Sequence, residues 1–281
     1  MARVPTIRAI WLGQELRSLR MNAGLSARGA GTYLSRDATT VTRMELGEVH
    51  ITDAMLQAFF EMCGLKDPHR RADLEFIHKD VAQAGWWDGY RGEIASTLMD
   101  RAWIEDRSTT IASFEPILAP GLLQTREYAE IVIRALDADA PDEQIERWVD
   151  VRMNRQAVVM GHRPLRFDGI IDHSALTRRI GGAEVMARQL DHLVMALERP
   201  NIQLRVLPVD VAAHAGLSGA FAVYTMVRPY PVVGFADTSA GELCVEGEAV
   251  DRLVRSYDRL LEACLDVQAS RELIIAERNK L

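Results

Sequence analysis

Cysteine is scarce in this chain. Three thiols, Cys63, Cys244 and Cys264, serve 281 residues, and no two stand at C-x-x-C spacing. So few, so widely separated, argue against a disulfide framework and against a zinc site. Each is expected to be a small buried apolar side chain. The seven histidines are scattered without an H-x-x-x-H pair, so no metal and no cofactor are expected. Lysine is nearly missing, with three against thirty arginines, a bias that a GC-rich genome produces as readily as function does. No apolar run approaches the roughly 20 residues needed to span a bilayer. The opening MARVPTIRAIWLGQELRS has neither the apolar core nor the small-residue cleavage site of a signal peptide. A cytoplasmic protein without membrane contact is the expectation. A G-x-S-x-G elbow and a glycine-rich phosphate loop are also lacking. Asp172-His173-Ser174 holds the residue types of a hydrolytic triad, but adjacent residues cannot converge as one. No enzyme is expected.

What is present suits a globular protein: 48% hydrophobic and 26% charged residues, with length for two domains. The charge is unevenly distributed. Residues 1–50 hold seven Arg against four acids, a net of +3, so residues 51–281 carry −10 of the chain's total of −7. A mildly basic head on an acidic body fits a small DNA-binding unit joined to a part that does not touch DNA.

The head is organised around Leu25–Gly47, LSARGAGTYLSRDATTVTRMELG. Ser26 suits the N-cap of a helix that ends at Leu34. Asp37, after the polar Ser35-Arg36, suits the N-cap of a second. In that second helix Ala38, Val41 and Met44 share one face, which leaves Thr39, Thr40 and Arg43 pointing elsewhere. A helix with a buried back and a Thr/Thr/Arg front fits a reader of the DNA major groove. A preceding helix is expected over Ile7–Asn22. Later ones start at Thr52-Asp53, with Met55, Leu56, Phe59, Phe60 and Met62 as core, and at Asp67-Pro68.

Leu12-Gly13, Leu16-Arg17, Leu19-Arg20, Ala23-Gly24-Leu25-Ser26, Leu34, Val41 and Arg43-Met44-Glu45 with Gly47 together resemble the Cro/C1-type (XRE) helix-turn-helix domain. The resemblance implies an internal ion pair between Arg20 and Glu45. Two departures stand out. Ala27 occupies a position where that family often has Gln, and Gly29 and Gly31 lie inside the second helix, each costing about 0.5–1 kcal/mol relative to Ala.

The remainder reads as mixed α/β. Residues 86–120 are expected to be a connector, with Trp86-Trp87 plugging the joint between head and body. Pro120-Gly121-Leu122-Leu123-Gln124-Thr125 turns into a helix bearing Tyr128, Ile131, Val132 and Leu136. Helices are expected over Asp142–Met160, around Met186–Leu197, from Glu248 to Val267 and from Ser270 onward. Strands are expected around Leu165–Ile171, Ile202–Val206, Phe221–Val227 and Val232–Phe235. The stripe from Val250 to Leu265 suits either core or a dimer seam. Asp237, Glu242, Glu246 and Glu248 gather acidic charge, expected to be a solvated rim.

Pro120–Thr125, Tyr128-Ala129, Arg152 with Arg155-Gln156, Gly181-Gly182, Gln189-Leu190, His192-Leu193, Arg199-Pro200-Asn201 and Val206-Leu207-Pro208 occur in that order. In this the body resembles the large C-terminal domain of actinobacterial WhiJ-like, antitoxin-like developmental regulators. The resemblance implies pairing with a small protein encoded nearby.

The expected architecture is α+β and multidomain. An all-α five-helix helix-turn-helix domain occupies residues 1–85, followed by a connector at 86–120. A mixed α/β regulatory domain at 121–281, with a small sheet flanked by helices, is also the expected dimerisation part. The expected function is sequence-specific transcriptional regulation on a near-palindromic operator in double-stranded DNA, as a homodimer. Thr39, Thr40 and Arg43 face base edges, while Ser26, Arg28 and Arg36 face phosphate. The signal reaches the body from a small partner protein. The alternatives are a small-molecule sensor and an interaction protein whose head no longer binds DNA.

Overall fold

Side-chain caps set the helix ends in the first part of the chain. Thr6 precedes α1 (Ile7–Asn22). Ser26 Oγ accepts from the Gly29 N–H at 3.1 Å to open α2 (Ala27–Leu34). Asp37 Oδ1 accepts from the Thr40 N–H at 2.7 Å to open α3 (Ala38–Glu45). Thr52 caps α4 (Asp53–Met62) in the same way, and Asp67 caps α5 (Pro68–Ala82), with Pro68 in its first turn. Each cap satisfies a backbone donor that the helix leaves open. The computed structural model describes residues 4–281, so Arg3, counted in the basic head, lies outside the described residues. The chain divides into two compact units, Met1–Asp88 and Gly89–Leu281. No helix among the described residues is long and apolar enough to cross a membrane.

The core of the first unit collects Trp11, Leu12 and Leu16 of α1, Val41 and Met44 of α3, Leu56, Phe59 and Phe60 of α4, and Leu74 and Ile77 of α5. Of the two glycines of α2, Gly31 is explained by proximity. Gly31 is buried, and a Cβ there would lie 2.6 Å from the Arg36 carbonyl oxygen. The propensity cost of glycine is thus offset by the close approach of α2 to the turn that follows it. Ser35 makes that turn in the left-handed region at φ 53°. Trp86 and Trp87 meet edge to face at 5.8 Å, with Trp87 buried.

Arg20 and Glu45 join α1 to α3. Arg20 Nε donates to Glu45 Oε1 at 2.5 Å and Nη2 to Oε2 at 2.9 Å, while Nη1 donates to the Leu25 carbonyl at 2.6 Å. Both side chains are buried, 10% and 4% exposed. One guanidinium therefore fixes the end of α3 and the chain entering α2.

The second unit is a six-stranded sheet with helices. In chain order it runs α6 (Ser96–Asp106), β1 (Ser108–Glu115), a 3₁₀ turn at Gly121–Leu123, α7 (Arg126–Leu136), α8 (Asp142–Arg155), α9 (Ala157–Met160), β2 (Arg166–Asp172), α10 (His173–Thr177), α11 (Ala183–Ala196), β3 (Ile202–Leu207), β4 (Phe221–Met226), β5 (Val233–Thr238), β6 (Gly241–Val245), α12 (Glu248–Ala263) and α13 (Val267–Arg278). The strand order is β3-β2-β1-β4-β5-β6. β1, β2 and β3 run parallel, with α7–α9 and then α10–α11 as crossovers. β4, β5 and β6 continue from β1 as an antiparallel meander. On one face Phe114, Ile170, Phe221 and Val223 pack with Val250, Tyr257 and Leu260 of α12. The stripe that suited either core or a dimer seam thus contributes its buried members to this core.

Four strands fall where strands are expected from the sequence; β1 and β6 are additional. β1 lies inside residues 86–120, the expected connector, and runs between β2 and β4. Its apolar Ile111 and Phe114 are three apart, and the alternating Ser113 and Glu115 carry no hydrophobic signal. β6 is a short edge strand beside β5. The helix expected to reach Val267 ends at Ala263, and α13 begins at Val267 with Asp266 as its cap.

Glu45→Ala strands a buried guanidinium, and is expected to destabilise the first unit by about 3–5 kcal/mol. Arg20→Met combined with Glu45→Leu should restore most of that loss. Chemical denaturation followed by circular dichroism checks both, and an unchanged midpoint for Glu45→Ala would contradict the role given to the pair.

Candidate functional site

The outward side of α3 is polar and loosely held. Thr39, Thr42 and Arg43 are exposed, while Val41 and Met44 face the core. Thr42 was not singled out in the sequence, although its spacing of three from Thr39 puts both on one side. Thr40 is half-buried, and its hydroxyl donates to Asp37 Oδ2 at 2.9 Å, reinforcing the cap. The Asp37 carboxyl is held below its ordinary range by the Thr40 N–H and hydroxyl. Arg43 Nε donates to Glu48 Oε2 at 3.2 Å, with both side chains exposed, 55% and 41%. Such a pair is worth about 0–1 kcal/mol, so turning Arg43 toward another acceptor costs little.

Ser26, Arg28 and Arg36 are exposed at the start of α2 and in the turn before α3. Ser26 Oγ uses a lone pair for its cap, which leaves its proton for another acceptor. Among the described residues, Arg36 donates only to the neighbouring Ser35 carbonyl, at 3.3 Å. The structure therefore brings Ser26, Arg28, Arg36, Thr39 and Arg43 to the exposed surface of one helix pair, and Arg20 and Glu45 together beneath it.

The second unit holds a cavity of about 470 Å³ on the sheet face opposite α12. The pleat of β1 produces it: Ile111, Ser113 and Glu115 face the cavity, and Phe114 faces the core. Tyr224 of β4, Glu105 of α6 and Arg152 and Arg155 of α8 complete the polar wall. Arg155 and Glu105 form a bidentate pair at 2.8 and 2.6 Å, exposed by only 6% and 1%. Arg101 donates to Glu242 and, at 2.8 Å, to the Tyr224 hydroxyl, and its guanidinium lies 5.4 Å from the Phe235 ring centre. Asp237 stands 3.6 Å from Arg101. Asp237 and Glu242 are thus partners of a largely buried cation, where the sequence suggested a solvated rim.

Two ionisable groups in the cavity have no partner of opposite charge among the described residues. Arg152 donates to Gln124 Oε1 at 2.8 Å and has no carboxylate within ion-pairing distance among the described residues. Burial, together with the Arg155 and Arg101 guanidinium groups, pushes its pKa down to about 10. Glu115 has no hydrogen bond or ion pair among the described residues, and burial, with the nearby Asp237 carboxylate, pushes it up to about 8.

The Pro120–Thr125 stretch frames this cavity. Gln124 is buried; its Nε2 donates to the Ala119 carbonyl at 2.8 Å and its own carbonyl accepts from Gln156 Nε2 at 2.7 Å. Gln189 of α11 grips both sides of the stretch, donating to the Leu123 carbonyl and accepting from the Thr125 N–H, each at 2.7 Å. The Tyr128 hydroxyl accepts from the Ala119 N–H at 3.2 Å. Arg152 and Gln156, four residues apart at the end of α8, meet Gln189 of α11 here. Asp172, His173 and Ser174 diverge instead: Asp172 caps Ser174, His173 meets Glu277 at 2.9 Å, and the Ser174 hydroxyl donates to the Pro116 carbonyl at 2.8 Å. No cluster of metal-ligating side chains occurs among the described residues.

Comparison with known families gives two matches. A family model described as "Domain of unknown function (DUF5753)" matches residues 98–276, and one described as "Helix-turn-helix domain" matches residues 11–74. The second covers α2 and α3 and points to a DNA-binding regulator. No curated protein and no solved structure matches the chain.

The raised pKa of Glu115 fixes the sign of a pH effect. A carboxyl that titrates near 8 when folded, against about 4.3 in an unfolded chain, holds its proton longer in the folded state. Its contribution is fully present below about 4.3 and is lost as pH rises to about 8. Urea denaturation across this range should show stability falling for the wild type and a flatter profile for Glu115→Gln. Identical slopes would show that Glu115 is not the group responsible.

Proposed function

The chain belongs to the DUF5753 family, and we propose that it is a sequence-specific transcriptional regulator whose second unit receives the signal. The observation that carries this reading is the exposed Thr39–Arg43 side of α3, backed by a buried Val41/Met44 side and anchored through Arg20–Glu45. α3 enters the major groove. Arg43 leaves its weak pair with Glu48 to donate to guanine O6 and N7. Thr39 and Thr40 offer methyl groups, and Thr39 a free-standing hydroxyl, to base edges. Ser26, Arg28 and Arg36 hold phosphates at the groove rim, where they add affinity without sequence information.

One helix pair reads few bases, so the regulator acts as a homodimer on a near-palindromic operator, with half-sites about 34 Å apart. It works in the cytoplasm. The resemblance of the second unit to WhiJ-like, antitoxin-like developmental regulators supports a small protein encoded nearby as the signal. A second reading, a small-molecule sensor, is favoured by one specific observation: the 470 Å³ cavity with its unmatched Glu115 and Arg152.

Genome-wide binding-site mapping supplies the operator for a gel-shift test. Arg43→Ala should weaken binding by about 1–3 kcal/mol and relax preference at one base pair. Arg28→Ala should weaken binding to all sequences and lower the salt slope by about one. Full operator affinity in both Arg43→Ala and Thr39→Ala would overturn the assignment of α3.

A further inference from the structure

We propose that the cavity of the second unit binds a small amphipathic molecule carrying a basic nitrogen, its ammonium group against Glu115 and its apolar body along Ile111, Leu118, Leu122 and Val132. This rests on the reading of that unit as the part that receives the signal, and it names the chemistry received.

The hydrogen-bond balance of the wall argues for a donor. Arg155 is matched by Glu105, and Arg101 by Glu242 and the Tyr224 hydroxyl. Ser113, only 4% exposed, lines the cavity with its hydroxyl unpartnered. Glu242 uses Oε1 on Arg101 and leaves Oε2 unpartnered. Glu115 has both oxygens open among the described residues. Among the described residues lining the cavity, Glu242 Oε2, the Ser113 oxygen and the Glu115 carboxylate once ionised therefore outnumber the one cation without a carboxylate partner, Arg152. A buried acceptor left without a donor is unfavourable, and an ammonium brings three N–H groups to such a wall. An anionic ligand would find one cation without a carboxylate partner, Arg152, set among Glu115, Asp237 and Glu242. The volume of about 470 Å³ falls within the range of small-molecule sites. The apolar side chains opposite the charges give the ligand a second, water-excluding end.

The titration of Glu115 gives this site a distinguishing signature. The titratable and charged groups around it are Arg101 and Glu105 from α6, Tyr128 from α7, Arg152 and Arg155 from α8, Tyr224 from β4, Asp237 from β5 and Glu242 from β6. An ammonium docks against the ionised carboxylate, so Glu115 gives up its proton on binding. Affinity then rises with pH, by up to tenfold per unit, and levels off near 8.

The test uses the full chain and three probes of equal length: n-octylammonium chloride, sodium octanoate and 1-octanol. Isothermal titration calorimetry at about pH 6 and about pH 9, in buffers of different ionisation enthalpy, reads affinity and proton release. The expected result is saturable octylammonium binding, tighter at the higher pH and with proton release, and no octanoate binding. Glu115→Gln, checked for folding by circular dichroism, should lose at least tenfold in affinity together with the pH dependence. Ser113→Ala should lose a smaller factor with the pH dependence kept. Octanoate bound in place of octylammonium, octylammonium bound equally by Glu115→Gln, or no binding at millimolar probe would overturn the proposal. A gel shift with and without octylammonium separates this from the wider reading. Binding that leaves operator affinity unchanged supports the ligand site and counts against the unit as signal receiver. Absent binding, with an operator response to a partner protein, does the reverse.

Discussion

A charge withdrawn from water has to be answered inside the protein, and both units are arranged around that requirement. In the first, the Arg20 guanidinium spans Glu45 and the Leu25 carbonyl, so one side chain ties the first helix, the start of the second and the end of the third. The bidentate geometry fixes α3 in rotation as well as in position. In the second unit, Arg155–Glu105 and Arg101–Glu242 join α8 to α6 and α6 to β6. Replacing such pairs with hydrophobic residues often costs little, so their value lies in specifying one arrangement.

The two-residue period of β1 divides the second unit into a dry side and a polar side. Phe114 joins Phe221 and Tyr257 in a core under α12, while Ser113 and Glu115, its immediate neighbours, face the cavity. The same strand serves as a central sheet element and as the floor of a site. The buried hydrogen bonds of Gln124 and Gln189 hold the Pro120–Thr125 turn at the cavity's edge, which explains why residues so far apart in sequence form one ordered set.

The two candidate sites differ in how firmly their groups are held. Arg43 and Arg36 are exposed and tied only by a weak pair and a backbone contact, so they are free to adjust to a polyanion. Glu115 and Arg152 line an enclosed cavity without a partner of opposite charge, and burial shifts the proton affinity of both toward the neutral form. Surface charge of the first kind suits steering and readout. Enclosed ionisable groups of the second kind suit recognition of a specific partner group.

Much of the first unit was legible in the sequence because its signals are local. Caps at Ser26, Asp37, Thr52 and Asp67 and the helical spacing of Val41 with Met44 act within a few residues, and the five helices lie where these signals put them. The separation of Arg20 from Glu45 became meaningful through family resemblance, and the bidentate contact follows from the fold. The second unit was legible as alternating helices and strands, but not in its central strand. β1 carries half its pattern in polar residues that face a cavity, and its neighbours β2 and β4 begin some 50 and 110 residues further along. Local composition determined the helix-turn-helix unit and the α+β class. Only tertiary structure decided that Asp237 and Glu242 answer Arg101 and that Glu115 stands unmatched, because each depends on what a distant segment of chain brings within a few ångströms.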